Sequence, residues 1–250
     1  MRTLKQKFIE ERLKNYIWNK LFISAKEKRF LSHILKYSDI LIFGGVIREF
    51  VLNNFQKVEH RDIDLVITNL NDEVKNYLNN YLVRINSFGG YKLKVNNKDI
   101  DLWKLGETWG IKNKAPLFND VTDFLPETSF FNINAVAFSL KNNNLLYSEK
   151  FKKFLSDREL DIEFKPNPMP GLCFIKTYEY KLKYKVSISD KLIKFLTSTI
   201  DEKNINSLDE IQKKHFGFQK FSIKELNQFR NELINKDNHN VGNKDILAFK

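Results

Sequence analysis

The most informative part of the chain reads Gly44-Gly45-Val46-Ile47-Arg48-Glu49, and Arg61-Asp62-Ile63-Asp64-Leu65 follows a little further on. The first segment comes after a short apolar run, 39–43, which predicts a buried strand that enters a tight turn at the two glycines. Residues 47–54 have helical spacing, whereas residues 60–67 alternate polar and apolar residues as a strand does. The predicted order is therefore strand, Gly-Gly turn, helix, loop and a second strand that carries an Asp-x-Asp motif.

This order brings together groups that suit phosphate chemistry. Residues i and i+2 of a strand point to the same face, with about 6.6 Å between their Cα atoms, so Asp62 and Asp64 lie side by side. Two buried carboxylates repel each other without a cation, and a pair of divalent metal ions relieves that repulsion and serves phosphoryl transfer. Gly44 and Gly45 let backbone amides approach phosphate oxygens at a helix N-terminus, and Arg48 lies one turn inside that helix.

Each motif taken alone also has an ordinary structural explanation. An isolated Asp-x-Asp is usually a solvated strand edge, and a Gly-Gly before a helix is usually only a turn. The combination of both motifs in this order is far more specific than either one.

The combination resembles the head domain of the polymerase-β-like nucleotidyltransferase superfamily, in particular its bacterial poly(A) polymerase and tRNA CCA-adding branch. That branch is marked by a Gly-Gly-x-x-Arg-Asp turn, in which the present chain has Glu49 instead of the aspartate, and by an arginine-containing Asp-x-Asp-Leu strand. Residues 131–138 resemble the Phe-Thr-Ile-Asn-Ala segment of the same branch. The resemblance covers residues 35–140 well and the helices after Pro170 only faintly.

The resemblance implies transfer of a nucleotide from an NTP, dependent on Mg²⁺ or Mn²⁺, with release of pyrophosphate. It implies that Asp62 and Asp64 are catalytic and hold the metal ions. It also implies that Gly44, Gly45 and Arg48 bind the triphosphate of the NTP.

Many members of this superfamily add a third carboxylate from a neighbouring strand. Residues 98–103 offer Asp99 and Asp101 on one face of a predicted strand. We favour Asp101 as the third catalytic and metal-binding residue because apolar residues flank it on both sides, and Asp99 is the alternative. A second polar strand face without a catalytic role is the ordinary explanation of both.

The chain departs from the branch at other positions. The branch has two arginines and an aspartate just before its Phe-Thr-Ile-Asn segment, whereas this chain has Thr128, Ser129 and Phe130. An Arg-rich helix after the head is missing, and we expect no counterpart of the body and tail domains that grip a tRNA. These departures weaken the expectation of CCA addition in particular.

The pattern of elements predicts two domains. Residues 1–150 mix helices and strands, which predicts an α/β (α+β) nucleotidyltransferase head with a mixed sheet and N-terminal helices. Prolines 166, 168 and 170 mark a linker, and the residues beyond it have helical periodicity. We therefore expect a small, neck-like helical domain over residues 166–240.

Three further local predictions concern single elements. Residues 71–83 have the spacing of a helix, and residues 133–140 have the composition of a strand. Two strands, 91–96 and 98–104, are predicted to turn at Asn96-Asn97. The last fifteen residues are polar, which predicts a frayed end.

Composition and charge limit the class of protein. The 250 residues include 42 Lys and Arg against 31 Asp and Glu, a formal net charge of +11. This excess favours polyanionic partners, nucleic acid first, although lysines scattered by a Lys- and Asn-rich composition need no partner. The single cysteine excludes an intramolecular disulfide, and no run approaches the roughly 18 apolar residues of a membrane span. The charged N-terminus lacks the apolar segment of a signal peptide, so we expect a cytoplasmic protein without a membrane partner.

Three functions are compatible with the sequence. The first is a nucleotidyltransferase that adds a nucleotide to an RNA 3′ end, with tRNA as one candidate acceptor. The second keeps the chemistry but modifies a protein or a small molecule, as toxin- and defence-type enzymes do. The third is a non-catalytic nucleotide- or RNA-binding module, against which the intact Asp62 and Asp64 argue, whereas Glu49 keeps it open.

Overall fold

The computed structural model describes residues 4–53, 62–113, 122–167, 169–200 and 204–247. Arg61 and Pro168, which the sequence motifs include, lie outside the described residues. The chain divides into two compact units, which comprise residues 1–129 with 133–152, and residues 130–132 with 153–250.

The first unit combines helices with a mixed sheet, as the sequence predicts. Its elements, with turns between them, are α1 (Leu4–Tyr16), a π-helical turn (Ile17–Leu21), α2 (Ala25–Leu35), β1 (Ile40–Phe43), α3 (Gly45–Leu52), β2 (Asp62–Ile67), α4 (Asp72–Asn79), β3 (Leu82–Ile85), β4 (Tyr91–Val95), β5 (Lys98–Lys104), α5 (Trp109–Asn113), β6 (Val136–Ser139) and β7 (Asn144–Tyr147). Helix α6 (Glu149–Asp157) begins in this unit and continues into the second.

Within the described residues, the seven strands form one sheet in the order β3-β4-β5-β2-β1-β6-β7. Strands β2 and β5 run parallel, whereas the other neighbouring pairs run antiparallel. A parallel pair needs a long crossover, which the segment from α4 through β4 supplies between β2 and β5. The parallel pair lies at the centre of the sheet, and this is where the Asp-x-Asp strand is found.

The two faces of the sheet are covered unequally. Ile63, Leu65 and Ile100 point into the main core of the first unit, where the N-terminal helices pack on the sheet. On the other face, Val66 and Ala137 belong to a smaller apolar cluster. Because strand residues alternate between faces, Asp62 and Asp64 share the face of Val66 and stay outside the main core.

Three local predictions are wrong in detail. The helix predicted over 71–83 ends at Asn79, and Leu82–Ile85 forms β3, because its backbone pairs with β4. The strand predicted over 133–140 is shorter, since Asn132–Asn134 forms a 3-10 turn before β6. The last fifteen residues are not frayed throughout, because the last helix of the chain continues to Leu247.

In the part of the second unit that the structure describes, the chain is helical apart from one short strand pair and one isolated bridge. Its elements, in chain order, are β8 (Glu159–Leu160), α7 (Pro170–Tyr184), β9 (Ser187–Ile188), α8 (Asp190–Thr199), a 3-10 turn (Ile205–Ser207), α9 (Leu208–Phe216) and α10 (Ile223–Leu247). The rings of Phe174 and Tyr178 on α7 lie 5.2 and 4.8 Å from that of Phe229 on α10, measured between ring centroids. Among the described residues, the helices are all too short or too polar to cross a membrane.

Candidate functional site

Four carboxylates lie in two rows on the face of the central strands that points away from the main core. Strands β2 and β5 pair in parallel so that Asp62 is opposite Asp99 and Asp64 is opposite Asp101. Residues in register on adjacent strands point to the same face, so the sequence motifs of two distant segments form one acidic surface. The two rows differ in burial, because the side chain of Asp101 is 18% exposed and that of Asp99 is 55% exposed.

The surroundings of Asp64 on this surface shift its pKa strongly. Its pKa is raised from 3.8 to about 6, first because burial disfavours the charged form. The negative charges of Asp101 and Asp62 raise this pKa further, whereas the positive charges of Lys92 and Arg48 lower it. A further cation near Asp64 would therefore relieve a repulsion between carboxylates that Lys92 and Arg48 balance only in part.

The Gly-Gly turn lies beside these carboxylates. Strand β1 is antiparallel to β2, and Ile42 pairs with Leu65, so the end of β1 is next to the start of β2. Gly44 follows with φ +65° and ψ −111°, a conformation that favours glycine, and its N–H donates to the Val136 carbonyl at 2.9 Å. The turn thus directs the N-terminus of α3 to the acidic end of β2.

Helix α3 presents backbone amides at this point. Its first helical hydrogen bond runs from the Arg48 N–H to the Gly44 carbonyl at 2.9 Å. The N–H groups of Gly45, Val46 and Ile47 therefore precede the hydrogen-bond ladder of the helix. Amides in this position, together with the helix dipole, suit an anion such as phosphate.

The Arg48 guanidinium is held in place from two sides. It donates to the Asn134 side-chain oxygen and, at 3.0 Å, to Oε1 of Glu49. The Asn53 side-chain amide donates in turn to Oε2 of Glu49 at 3.3 Å. Glu49 is thus a buried carboxylate that orients the guanidinium of Arg48.

Lys92 completes the charged surface. It is the register partner of Asp101 on β4, and its Nζ donates to Oδ2 of Asp101 at 2.5 Å. The next pair along the same strands is Lys94 with Asp99, at 2.9 Å. Each carboxylate of β5 therefore has a lysine opposite it.

The donor atoms of this surface suit a divalent cation. Carboxylate oxygens are the ligands that Mg²⁺ and Mn²⁺ prefer. Burial, and after it the negative charges of Asp101 and Asp62, raise the pKa of Asp64. In the described part of the chain, however, no three His, Cys, Asp or Glu side chains converge as a metal cage. The chemistry of the residues fits the metal, whereas Asp101 is engaged by Lys92.

The structure places the predicted site residues on the central strands of the sheet and on the turn and helix next to them. Asp62, Asp64 and Asp101 share one face, and Gly44 and Arg48 belong to the adjacent turn and helix. Asn134 and Lys92 also belong to the site and were not predicted. Asn134 lies within the segment 131–138, and the predicted turn at Asn96-Asn97 already places Lys92 opposite Asp101 by counting back from the turn.

No protein-family model and no curated protein matches the chain. Among solved structures, the chain is similar to a CCA-adding enzyme in complex with CTP, with 15% sequence identity, a TM-score of 0.62 and coverage of 93% of this chain and 55% of that one. It is similar to a CCA-adding enzyme in complex with ATP, with 14% identity, a TM-score of 0.62 and coverage of 90% and 53%. The Thermotoga maritima CCA-adding enzyme complexed with tRNA gives 14% identity, a TM-score of 0.61 and the same coverage.

The chain spans about half the length of these solved proteins. Their likeness confirms the predicted fold class, an α/β (α+β) head with a mixed sheet followed by a helical region. At such low sequence identity, the likeness concerns the fold.

Proposed function

We propose that the chain is a metal-dependent nucleotidyltransferase that transfers a nucleotide from an NTP to the 3′ end of an RNA. The observation that carries the proposal is the register pair Asp64–Asp101, which lies next to the glycine turn and the N-terminus of α3. A carboxylate face beside an anion-binding helix end matches a substrate that carries both a metal ion and a phosphate chain. Complexes of similarly folded CCA-adding enzymes with CTP and ATP support an NTP as the substrate.

In the proposed enzyme, the carboxylates bind the metal ions. Asp62, Asp64 and Asp101 would hold Mg²⁺ or Mn²⁺, which supplies Lewis-acid stabilisation of the phosphate charge when it is bound. Asp64 must be ionised to serve as a ligand, and its raised pKa places that ionisation at about 6. Asp101, on the neighbouring strand, would orient the attacking hydroxyl by accepting a hydrogen bond from it.

The turn and α3 bind the triphosphate. The amides of Gly45 and Val46 approach phosphate oxygens from the helix N-terminus, and Gly44 permits the close approach. The guanidinium of Arg48, which Asn134 and Glu49 orient, contributes a positive charge. In the reaction, the proton of the attacking hydroxyl passes to Asp101, the hydroxyl oxygen forms a bond to the α-phosphorus, and the bond from this phosphorus to the bridging oxygen breaks. Pyrophosphate leaves with the electron pair, and Arg48 stabilises its charge.

RNA is the acceptor that the charge favours. The net charge of +11 attracts a polyanion and gives a neutral metabolite no such electrostatic advantage. A similarly folded enzyme in complex with tRNA is consistent with this choice. A protein or small-molecule acceptor uses the same site, so the test must identify what is labelled.

The test incubates the purified protein with each α-labelled NTP, Mg²⁺ or Mn²⁺ and a total cell extract. The control is the double variant Asp62→Ala/Asp64→Ala. We expect the label to enter a nuclease-sensitive fraction with the wild-type protein only. Label in a protease-sensitive or small-molecule fraction would indicate that the same reaction uses a protein or a small molecule as its acceptor. Nucleotide binding without any transfer would support the non-catalytic binding module instead.

A further inference from the structure

Lys92 contacts the carboxylate surface from the strand opposite the third aspartate. Its Nζ lies 2.5 Å from Oδ2 of Asp101, and the two side chains are 31% and 18% exposed. The positive charge of Lys92 also lowers the pKa of Asp64 on the far side of β5. One ammonium group therefore acts on both members of the Asp64–Asp101 pair.

The ammonium group of Lys92 contacts Oδ2 of Asp101, and Asp101 is the register partner of Asp64. A divalent cation bound by both carboxylates therefore competes with Lys92 for Asp101. Two cations that share one carboxylate repel each other strongly at short distance. A lysine side chain is long and flexible, and Lys92 is exposed enough to move its ammonium into solvent.

We infer that Lys92 is a built-in counter-ion of the carboxylate surface, which holds Asp101 in the metal-free protein and is displaced when a divalent cation binds Asp64 and Asp101. The inference rests on the proposed function, because it assumes that this surface binds the catalytic metal. It explains why Asp101 is bound to a lysine and the described acidic side chains do not converge as a cage. Lys92 thereby sets the concentration of metal at which the site is occupied.

The same two strands supply a matched control. Lys94 and Asp99 form an equivalent cross-strand pair two residues away, with 2.9 Å between Nζ and Oδ1. Both of these side chains are about half exposed, and neither is among the charges that shift the pKa of Asp64. Lys94 therefore forms the same kind of cross-strand ion pair as Lys92, but with Asp99 instead of Asp101.

The experiment compares Mn²⁺ binding by the wild-type chain and by Lys92→Met, Lys94→Met and Asp64→Asn. Methionine keeps most of the lysine's apolar stem and removes its charge. The free Mn²⁺ signal in electron paramagnetic resonance gives the dissociation constant at pH 7.5 without any substrate. We expect Lys92→Met to bind Mn²⁺ about five- to tenfold more tightly than the wild type, since no ion pair has to be broken. Lys94→Met should stay within about twofold of the wild type.

The outcomes separate the inference from the proposed function. Wild-type binding that Asp64→Asn abolishes, with unchanged or weaker binding by Lys92→Met, overturns the inference and leaves the metal site intact. Absence of Mn²⁺ binding by the wild type and both lysine variants contradicts the proposed function and the inference together.

A second measurement does not depend on affinity. In EDTA, Lys92→Met should unfold at a lower temperature than Lys94→Met, because Asp64 and Asp101 lose their counter-ion. Saturating Mn²⁺ should remove this difference, since the metal takes over the charge balance. An equal melting temperature of the two variants in EDTA contradicts the inference. Lys92→Gln serves as a second neutral variant if Lys92→Met does not fold.

Discussion

Asp64 on β2 and Asp101 on β5 are register partners in the parallel pair of strands at the centre of the sheet. The two residues are far apart in the chain, and the crossover through α4, β3 and β4 brings them together. Burial and then the negative charge of Asp101 raise the pKa of Asp64, and the strand register places Asp101, rather than Asp99, beside Asp64.

The two acidic residues of β5 should differ sharply in their importance. We expect Asp101→Asn to lower nucleotide transfer about 100-fold or more, the order of magnitude that positioned acid–base groups contribute. Asp99→Asn should retain activity within about twofold, because its exposed ion pair with Lys94 contributes little. Rates of pyrophosphate release under saturating NTP measure both effects. An Asp99→Asn enzyme that loses as much activity as Asp101→Asn would assign the third carboxylate differently.

Arg48 should act mainly on the triphosphate. We expect Arg48→Ala to lower kcat/KM for the NTP about 10- to 100-fold, the usual cost of a lost hydrogen bond to a charged group. Asn134→Ala should have a smaller effect in the same direction, because the guanidinium then keeps only Glu49 as an orienting partner among these contacts. Steady-state kinetics with varied NTP distinguish the two. Equal kcat/KM for all three proteins would exclude Arg48 from the phosphate site.

Stability in the absence of metal should depend on the ionisation of Asp64. Its pKa is about 6 in the folded protein and 3.8 is its ordinary value, so the folded state binds the proton more tightly. The resulting stabilisation is complete below about pH 3.8 and is lost as the pH rises through about 6. We therefore expect Asp64→Asn to be more stable than the wild type at pH 8 in EDTA, by about 1–3 kcal/mol, and similar at pH 4.

Denaturant unfolding at pH 4, 6 and 8 in EDTA checks this dependence. The wild type should approach the stability of Asp64→Asn as the pH falls. A constant difference between the two proteins over this pH range would show that Asp64 does not titrate as the structure indicates.

Asp39 should contribute to the stability of the fold and not to catalysis. This buried carboxylate accepts hydrogen bonds from the Ile40 N–H at 2.7 Å, the Ser139 hydroxyl at 2.5 Å and the Lys141 N–H at 2.9 Å. Asp39→Ala leaves these donors without their partner, which should reduce the free energy of unfolding by about 2–4 kcal/mol. Urea denaturation measures the loss, with Asp99→Ala as an exposed control that should change stability by less than about 0.5 kcal/mol. Equal stability of the two variants would contradict this role.

Much of the fold and several site residues could be predicted from local patterns. The glycine turn follows from the apolar run before it, and Gly44 indeed has a positive φ. The shared face of Asp62 and Asp64 follows from the two-residue period of a strand. The hairpin turn at Asn96-Asn97 is also confirmed, with Val95 paired to Lys98 and Asn96 at φ 52°.

Other features depend on contacts between distant segments, which no short stretch of sequence determines. The parallel register of β2 and β5 is decided by packing across a long crossover, so the sequence could not choose between Asp99 and Asp101 on geometry. The helix predicted over 71–83 was wrong at its end because β4 offers hydrogen bonds to Leu82–Ile85. The bond between Asn134 and Arg48 likewise joins segments that only the fold brings together.

Pyrophosphate release from each NTP, measured in the presence of RNA and Mg²⁺ or Mn²⁺, tests the proposed catalytic role of Asp64 and Asp101 most directly. We expect the wild-type chain to release pyrophosphate only when both RNA and metal are present. We also expect Asp64→Asn, which keeps the fold and removes one carboxylate charge, to lose at least about 99% of this release. Equal release by the wild type and Asp64→Asn, or no release by the wild type with any NTP, would contradict the claim that the Asp64–Asp101 pair is the catalytic centre of a nucleotidyltransferase.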